Sequence, residues 1–173
     1  MVVVVAGPAG AGKSTVGRAL AAARGWRFVD GDELHPAANV AKMRAGIPLD
    51  DNDRAPWLRA IRAVIDEALA RGEDLVVACS ALRRAHRAAL GVDGARVRLA
   101  FLDAPPSLLA ARVAARAGHF FPPSLLASQL AAIERPTPEE GRVVDASQPL
   151  ASLVAALTAA TDRVDAAVDG RIP

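Results

Sequence analysis

Two short stretches near the start of the chain carry residues whose types and spacing could do chemistry. The first is GPAGAGKS, Gly7 to Ser14, which fits G-x-x-x-x-G-K-[ST]. Gly7, Gly10 and Gly12, with the small Ala9 and Ala11 between them, let backbone N–H groups converge on phosphate oxygens. Lys13 can then reach the β- and γ-phosphates of a nucleoside triphosphate, and the Ser14 hydroxyl can bind Mg2+. Thr15 follows in the first turn of a helix whose positive dipole end adds to the same site. It also stands where the dinucleotide pattern G-x-G-x-x-G would need its third glycine, so that rival reading fails.

The second stretch is DGDELHP, with Asp30 and Asp32 one residue apart. Two acids there could hold a metal, take a proton, or cap the next helix. ATPases commonly place a magnesium-binding Asp after the third strand. Here that strand ends in ACSAL, without an acid. Asp30 and Asp32 follow the second strand instead, at the carboxyl edge of the sheet where open α/β folds bind ligands. That arrangement leaves one acid for the magnesium shell and one for an acceptor hydroxyl. For either Asp alone, capping of the following turn is the competing reading.

The elements that must position these residues are legible in outline. Val2 to Ala6 is a β-branched run without alternation, as in a strand buried on both faces. Lys13 to Arg24 reads as an Ala-rich helix and Trp26 to Val29 as a second strand. His35 to Arg44 reads as a helix with Pro36 in its first turn, followed by a polar loop, PLDDNDRAP. Trp57, Leu58, Ile61, Val64, Ile65, Ala68 and Leu69 repeat at the helical period, and Gly72 ends that helix. Leu75 to Cys79 is a third strand, Arg83 to Leu90 a basic helix, Val97 to Leu102 a fourth strand and Ser107 to Ala117 a helix. Gly118 to Pro123 reads as a mobile loop, Leu125 to Ile133 as a short helix, Val143 to Asp145 as a last strand and Pro149 to Val164 as the closing helix. Strands alternating with helices predict an α/β fold: a five-stranded parallel sheet with helices on both faces, joined by right-handed crossovers.

Composition narrows the function classes. The 173 residues are long enough for one domain with its own core, and aromatics at 3% leave that core to Ala, Val, Leu and Ile. A net charge of +2, spread along the chain, gives no footprint for nucleic acid. MVVVVAG is too short to span a membrane and lacks a basic leader, so no membrane or export segment is expected. A single cysteine, Cys79, excludes an internal disulfide and suits a reducing cytoplasm.

Four blocks taken in order go further: GPAGAGKSTVG, DGDELHPAANVAKMRAGIPLDDNDRAPWL, ACSALRRAHRAAL and RAGHFFPPSLLASQ. Over roughly Val2 to Pro136 the chain resembles the gluconokinase family of shikimate-kinase-like P-loop kinases. The resemblance implies a three-layer P-loop NTPase fold with a mobile lid at about 112–128, and phosphorylation of D-gluconate at its terminal hydroxyl by ATP with Mg2+. It also implies that Asp30 holds magnesium through water and that Asp32 accepts a hydrogen bond from the attacked hydroxyl.

By the same resemblance Arg54 and Arg83 are the candidates for a guanidinium fork on the gluconate carboxylate. His35 and Lys42, two helical turns apart, could line the same pocket, or Lys42 could lie on a solvated face. In the lid, Arg112 and Arg116 share a helix face and would meet ATP phosphates on closing, which would also exclude water. His119 and Gln129 match the family's substrate or lid positions. The family commonly has Tyr-Arg-Asp where this chain has His86-Arg87-Ala88, and a glycine-containing turn where LDAPP ends the fourth strand. A kinase of a neighbouring acceptor such as shikimate or another sugar acid is the alternative, and a homodimer is compatible with the resemblance.

Overall fold

The computed structural model describes residues 1–115 and 124–169. Five parallel strands, β1 (Val2–Ala6), β2 (Arg27–Asp30), β3 (Leu75–Ala78), β4 (Val97–Asp103) and β5 (Gly141–Asp145), form one sheet in the order β2-β3-β1-β4-β5. Successive residues of a strand point to opposite faces, and β1 shows it: Val2 and Val4 enter one core, Val3 and Val5 the other. Helix α3 (Asp51–Arg71) covers the first face with Trp57, Leu58, Ile61, Ile65 and Ala68. On the second face α1 (Lys13–Arg24), α5 (Pro106–Ala115), α6 (Ser124–Ala131) and α7 (Leu150–Asp169) contribute Val16, Leu20, Leu109, Leu126, Leu153 and Leu157. This is the three-layer arrangement expected.

Two short helices, α2 (Ala37–Arg44) and α4 (Arg84–Ala89), complete the set. Two boundaries differ from the sequence reading for local reasons. The helix expected from His35 starts at Ala37, because Pro36 holds the residue before it out of the helical region; His35 is extended at φ −66°, ψ 133°. A single 3-10 turn, Gly31–Leu34, occupies the space before it.

The expected PLDDNDRAP loop is mostly helix. Asp50 caps α3 by accepting from the Asp53 N–H at 2.8 Å, while the Asp53 carboxylate accepts from the Asp50 N–H at 3.1 Å. This reciprocal box satisfies two end groups and starts the helix one residue later, with Pro56 tolerated inside it. Among the described residues no helix is long and apolar enough to cross a membrane.

Candidate active site

β1 lies between β3 and β4, so chain order reverses beside it, and open sheets bind ligands outside the carboxyl ends of strands at such points. Gly7 starts the phosphate loop there. Its N–H donates to the Ser80 carbonyl at 3.2 Å, and a Cβ would stand 2.5 Å from the Leu102 carbonyl oxygen, so a side chain at this position is excluded. The loop from Ala9 to Thr15 lines a cavity of about 590 Å3. Asp32, His35, Arg54, Ser80, Arg112 and Gln129 line the same cavity. Phosphate loop and acid-bearing turn, remote in sequence, therefore share one enclosure.

In the loop, the Lys13 ammonium donates to the Pro8 carbonyl at 3.0 Å, and the Ala9 N–H donates to Gln129 Oε1 at 2.7 Å. Gln129 thereby fastens α6 to the loop tip. Arg112, on α5, donates to the Ala146 carbonyl at 3.0 Å and so joins that helix to the turn after β5, whose Ala146 and Gln148 also line the cavity. Arg116 and His119, and residues 116–123 of the lid expected at about 112–128, lie outside the described residues.

The acid turn is pinned from three sides. Gly31, between the two aspartates, packs so closely on β3 that a Cβ would meet the Ala78 carbonyl oxygen at 2.7 Å. Its own carbonyl accepts the Trp57 indole N–H at 2.7 Å. Asp30 Oδ1 accepts from the Asp32 N–H at 3.2 Å, which caps the 3-10 turn. Among the described residues Asp30 Oδ2 keeps only a loose cation, Arg18, at 3.8 Å. The Asp32 carboxylate has no hydrogen-bond donor among the described residues. The capping reading therefore holds for one oxygen of Asp30 and leaves the carboxylate of Asp32 to the cavity.

The two arginines proposed for an anion differ sharply. Arg83 is exposed and already paired with Asp51, at 3.0 and 3.1 Å. Arg54 lies partly buried in the cavity wall with no hydrogen-bond acceptor among the described residues. Burial first, and then the like charge of Arg83, push its pKa down, against the pull of Asp51, Asp53 and Asp50. An incoming anion would relieve that strain. Lys42 is not a lining residue: its ammonium binds both Asp53 oxygens, at 2.6 and 2.8 Å.

His35 stacks on Trp57 with ring centroids 4.3 Å apart and planes 9° from parallel. Burial pulls its pKa down to about 4, outweighing the attraction of Asp32, with Arg54 adding to the depression, so the ring is neutral near pH 7. Trp57, read from sequence only as core, is thus the support of both His35 and Gly31. Asn39, which the sequence reading passed over, is buried and bonds His35 and the Asp53 carbonyl. Its spacing of four from His35 on a helical pattern was the available signal.

The departures are structural in part. Arg87 is fully buried, donating to Glu140 at 2.8 and 3.1 Å and to the carbonyls of Leu82 and Glu134. His86 is buried 3.6 Å from Asp51, and its ring nitrogens find no hydrogen-bond partner among the described residues. Burial and then Arg54 push its pKa down. Cys79 is a buried filler whose thiol pKa is pushed up to about 12 by burial.

A three-layer parallel sheet, a complete phosphate loop and a facing acid turn in one cavity define the class: a P-loop kinase. A family model described as an AAA domain matches residues 2–136. The gluconokinase of Gluconobacter oxydans is 46% identical over 137 residues, 79% of this chain and 77% of that one. The crystal structure of a gluconokinase from Sinorhizobium meliloti superimposes with a TM-score of 0.79 at 46% identity, covering 94% of this chain and 91% of that chain. An unliganded sugar kinase from Janibacter sp. gives a TM-score of 0.86 at 39% identity, covering 93% and 94%. The chain belongs to the gluconokinase family.

Proposed function

We propose that the protein transfers the γ-phosphoryl group of ATP to the terminal hydroxyl of D-gluconate, giving 6-phospho-D-gluconate and ADP. The observation that carries the reading is the shared cavity. Phosphate-loop amides form one end, and a carboxylate, a neutral imidazole and a guanidinium with no hydrogen-bond acceptor among the described residues form the other. Those three groups suit a molecule with a carboxylate and a row of hydroxyls. The family relatives' names point to the same acceptor.

In this reading the amides of the phosphate loop, Gly7 to Thr15, and Lys13 hold the triphosphate, and Arg112 and Arg116 approach it from the lid helix. Arg54 forks the gluconate carboxylate, leaving Arg83 to orient Asp51; Lys42 orients Asp53 from the rim. His35 contacts a hydroxyl, and His119 and Gln129 close over the acceptor. Asp32 accepts a hydrogen bond from the attacked hydroxyl. As the new P–O bond forms, the β,γ-bridging oxygen leaves with ADP and the hydroxyl proton passes to Asp32 or to water. A carboxylate is a weak base, so Asp32 works mainly by aiming the oxygen.

Mg2+ fits the residues present. Ser14 and Asp30 offer hard oxygen donors, and among the described residues Asp30 Oδ2 has no close partner beyond Arg18. Bound there, Mg2+ would neutralise charge on the β- and γ-phosphates. The same reading takes the 173 residues as one kinase domain in a reducing cytoplasm.

The test is product analysis. Purified protein with MgATP and a panel of gluconate, other sugar acids and shikimate should release ADP fastest with gluconate, with the phosphate ester on the terminal carbon by 31P NMR. Faster turnover of shikimate, or ADP release that no acceptor stimulates, would overturn the assignment.

A further inference from the structure

Asn39 is 3% exposed, in the first turn of α2, and a buried side-chain amide must find partners or cost stability. Its Nδ2 lies 2.8 Å from the Asp53 carbonyl oxygen and 3.3 Å from His35 Nδ1. The carbonyl can only accept, which fixes which way the amide faces. Turned over, Asn39 would set its own oxygen against that of Asp53. The nitrogen is therefore the group shared by both neighbours, and an amide nitrogen can only donate. One hydrogen goes to Asp53 and the other to His35, so Nδ1 of a neutral His35 ring must be the acceptor. The proton then resides on Nε2.

We propose that Asn39 is a positioning residue that locks His35 in the Nε2–H tautomer, so that the acceptor end of the cavity presents a neutral N–H donor. His35 Nε2 has no hydrogen-bond partner among the described residues, and the residue lines the cavity. The ring cannot swing away, because it is stacked on Trp57, and its backbone is fixed between the 3-10 turn and Pro36. A neutral donor reads an oxygen lone pair, a hydroxyl or carboxylate oxygen of the acceptor, without adding another cation beside Arg54. It would reject an acceptor with a methylene in that place.

The groups facing the ring are Asp32 from the 3-10 turn, Arg54 and Trp57 from α3 and Asn39 from α2. Asp32 favours protonation, whereas burial and Arg54 oppose it more strongly. The lock thus holds across the neutral range instead of switching within it.

What oxygen is bound rests on the acceptor reading above, but the tautomer can be measured without any substrate. Long-range 1H–15N correlation spectra of the labelled protein, with His35 assigned by loss in His35→Gln, should show Nε2–H and an unprotonated Nδ1 from pH 6 to 8. A wild-type Nδ1–H tautomer, or titration within that range, overturns the proposal whatever the substrate is. Asn39→Asp replaces the donor by an acceptor. There Nδ1 should gain a proton, and KM for the acceptor should rise with pH by about threefold to tenfold, the worth of one neutral hydrogen bond. KM for ATP should not move and the wild-type profile should stay flat. An Nδ1 still unprotonated in a folded Asn39→Asp variant would also overturn it.

Discussion

The two ends of the cavity are built by different means. The phosphate end is a single run of backbone, Gly7 to Thr15, whose donors are main-chain amides held by glycine geometry and by the turn into α1. The proposed acceptor end gathers side chains from separate elements: those of Asp32 and Arg54 face the cavity without a hydrogen-bond partner among the described residues. His35 is held by Trp57 beneath it and Asn39 beside it, and the pairs Asp53–Lys42 and Asp51–Arg83 stand next to them. The difference teaches where single substitutions should bite. Backbone donors survive most side-chain changes, whereas the acceptor end should fail in separable steps.

The largest step is at Asp32. Asp32→Asn keeps shape and removes the charge that, in the proposed reading, aims the attacked hydroxyl, so kcat should fall by roughly 10²- to 10⁴-fold. Affinity for ATP, measured by fluorescence titration or calorimetry, should stay near wild type because the amide cradle is untouched. Near-normal turnover would remove Asp32 from the reaction and erase the contrast between the two ends.

Next come the arginines. Arg54→Ala should raise KM for gluconate by about 10- to 100-fold, the loss of a charge-assisted contact worth about 1.5–3 kcal/mol. Arg83→Ala should shift it only a few-fold, since Arg83 is exposed and satisfied by Asp51. Steady-state kinetics on both variants decides the pair. Equal losses would mean that Arg83 leaves Asp51 to meet the substrate.

These contrasts also explain what could be read in advance. The phosphate loop was legible because its chemistry is contiguous: a glycine pattern between a strand and a helix states its own geometry. The centre of the sheet was legible because β1 and β3 are unbroken apolar runs, VVVVA and LVVA. PLDDNDRAP misled because its polar residues resemble a loop, while the Asp50–Asp53 box makes them a helix start. Lys42 and Arg83 could not be ranked against Arg54 from sequence, because the ranking depends on which of them has an acid within 3 Å or so, and that is decided by packing. Trp57 and Asn39 were hidden for another reason: Trp57 reads as core and Asn39 was passed over, while both support His35, which does line the cavity.

The support beneath the acceptor end can be tested through stability. Trp57→Phe keeps the stack on His35 and removes the indole N–H that satisfies the Gly31 carbonyl. A buried carbonyl left without its partner costs about 1–3 kcal/mol. Denaturant unfolding should show a lower midpoint with an unchanged m-value, and gluconate KM should rise more than ATP KM as the Asp30–Asp32 turn loosens. Equal effects on both substrates would mean that Trp57 serves only the core.

The smallest effect is a pH slope. His35 has its pKa lowered from an ordinary 6.5 to about 4, chiefly by burial. The unfolded chain therefore binds more protons at this site between those values, and folding stability falls as pH drops from 6.5 towards 4. His86, also pushed down by burial, acts with the same sign. The carboxylates with lowered pKa, Asp53, Asp93, Glu139, Glu140 and Asp145, lose their contribution only as pH falls below ordinary values of 3.8 to 4.5. Between about 6.5 and 4.5 the slope thus belongs mainly to the buried histidines. Urea midpoints of His35→Gln, measured against pH, should show a shallower decline over that window than the wild type, with the remainder removed in the double variant with His86→Gln. An unchanged slope in His35→Gln would mean that the ring is already solvated at the acceptor end, and the contrast with the backbone-built phosphate end would then rest on the arginines alone.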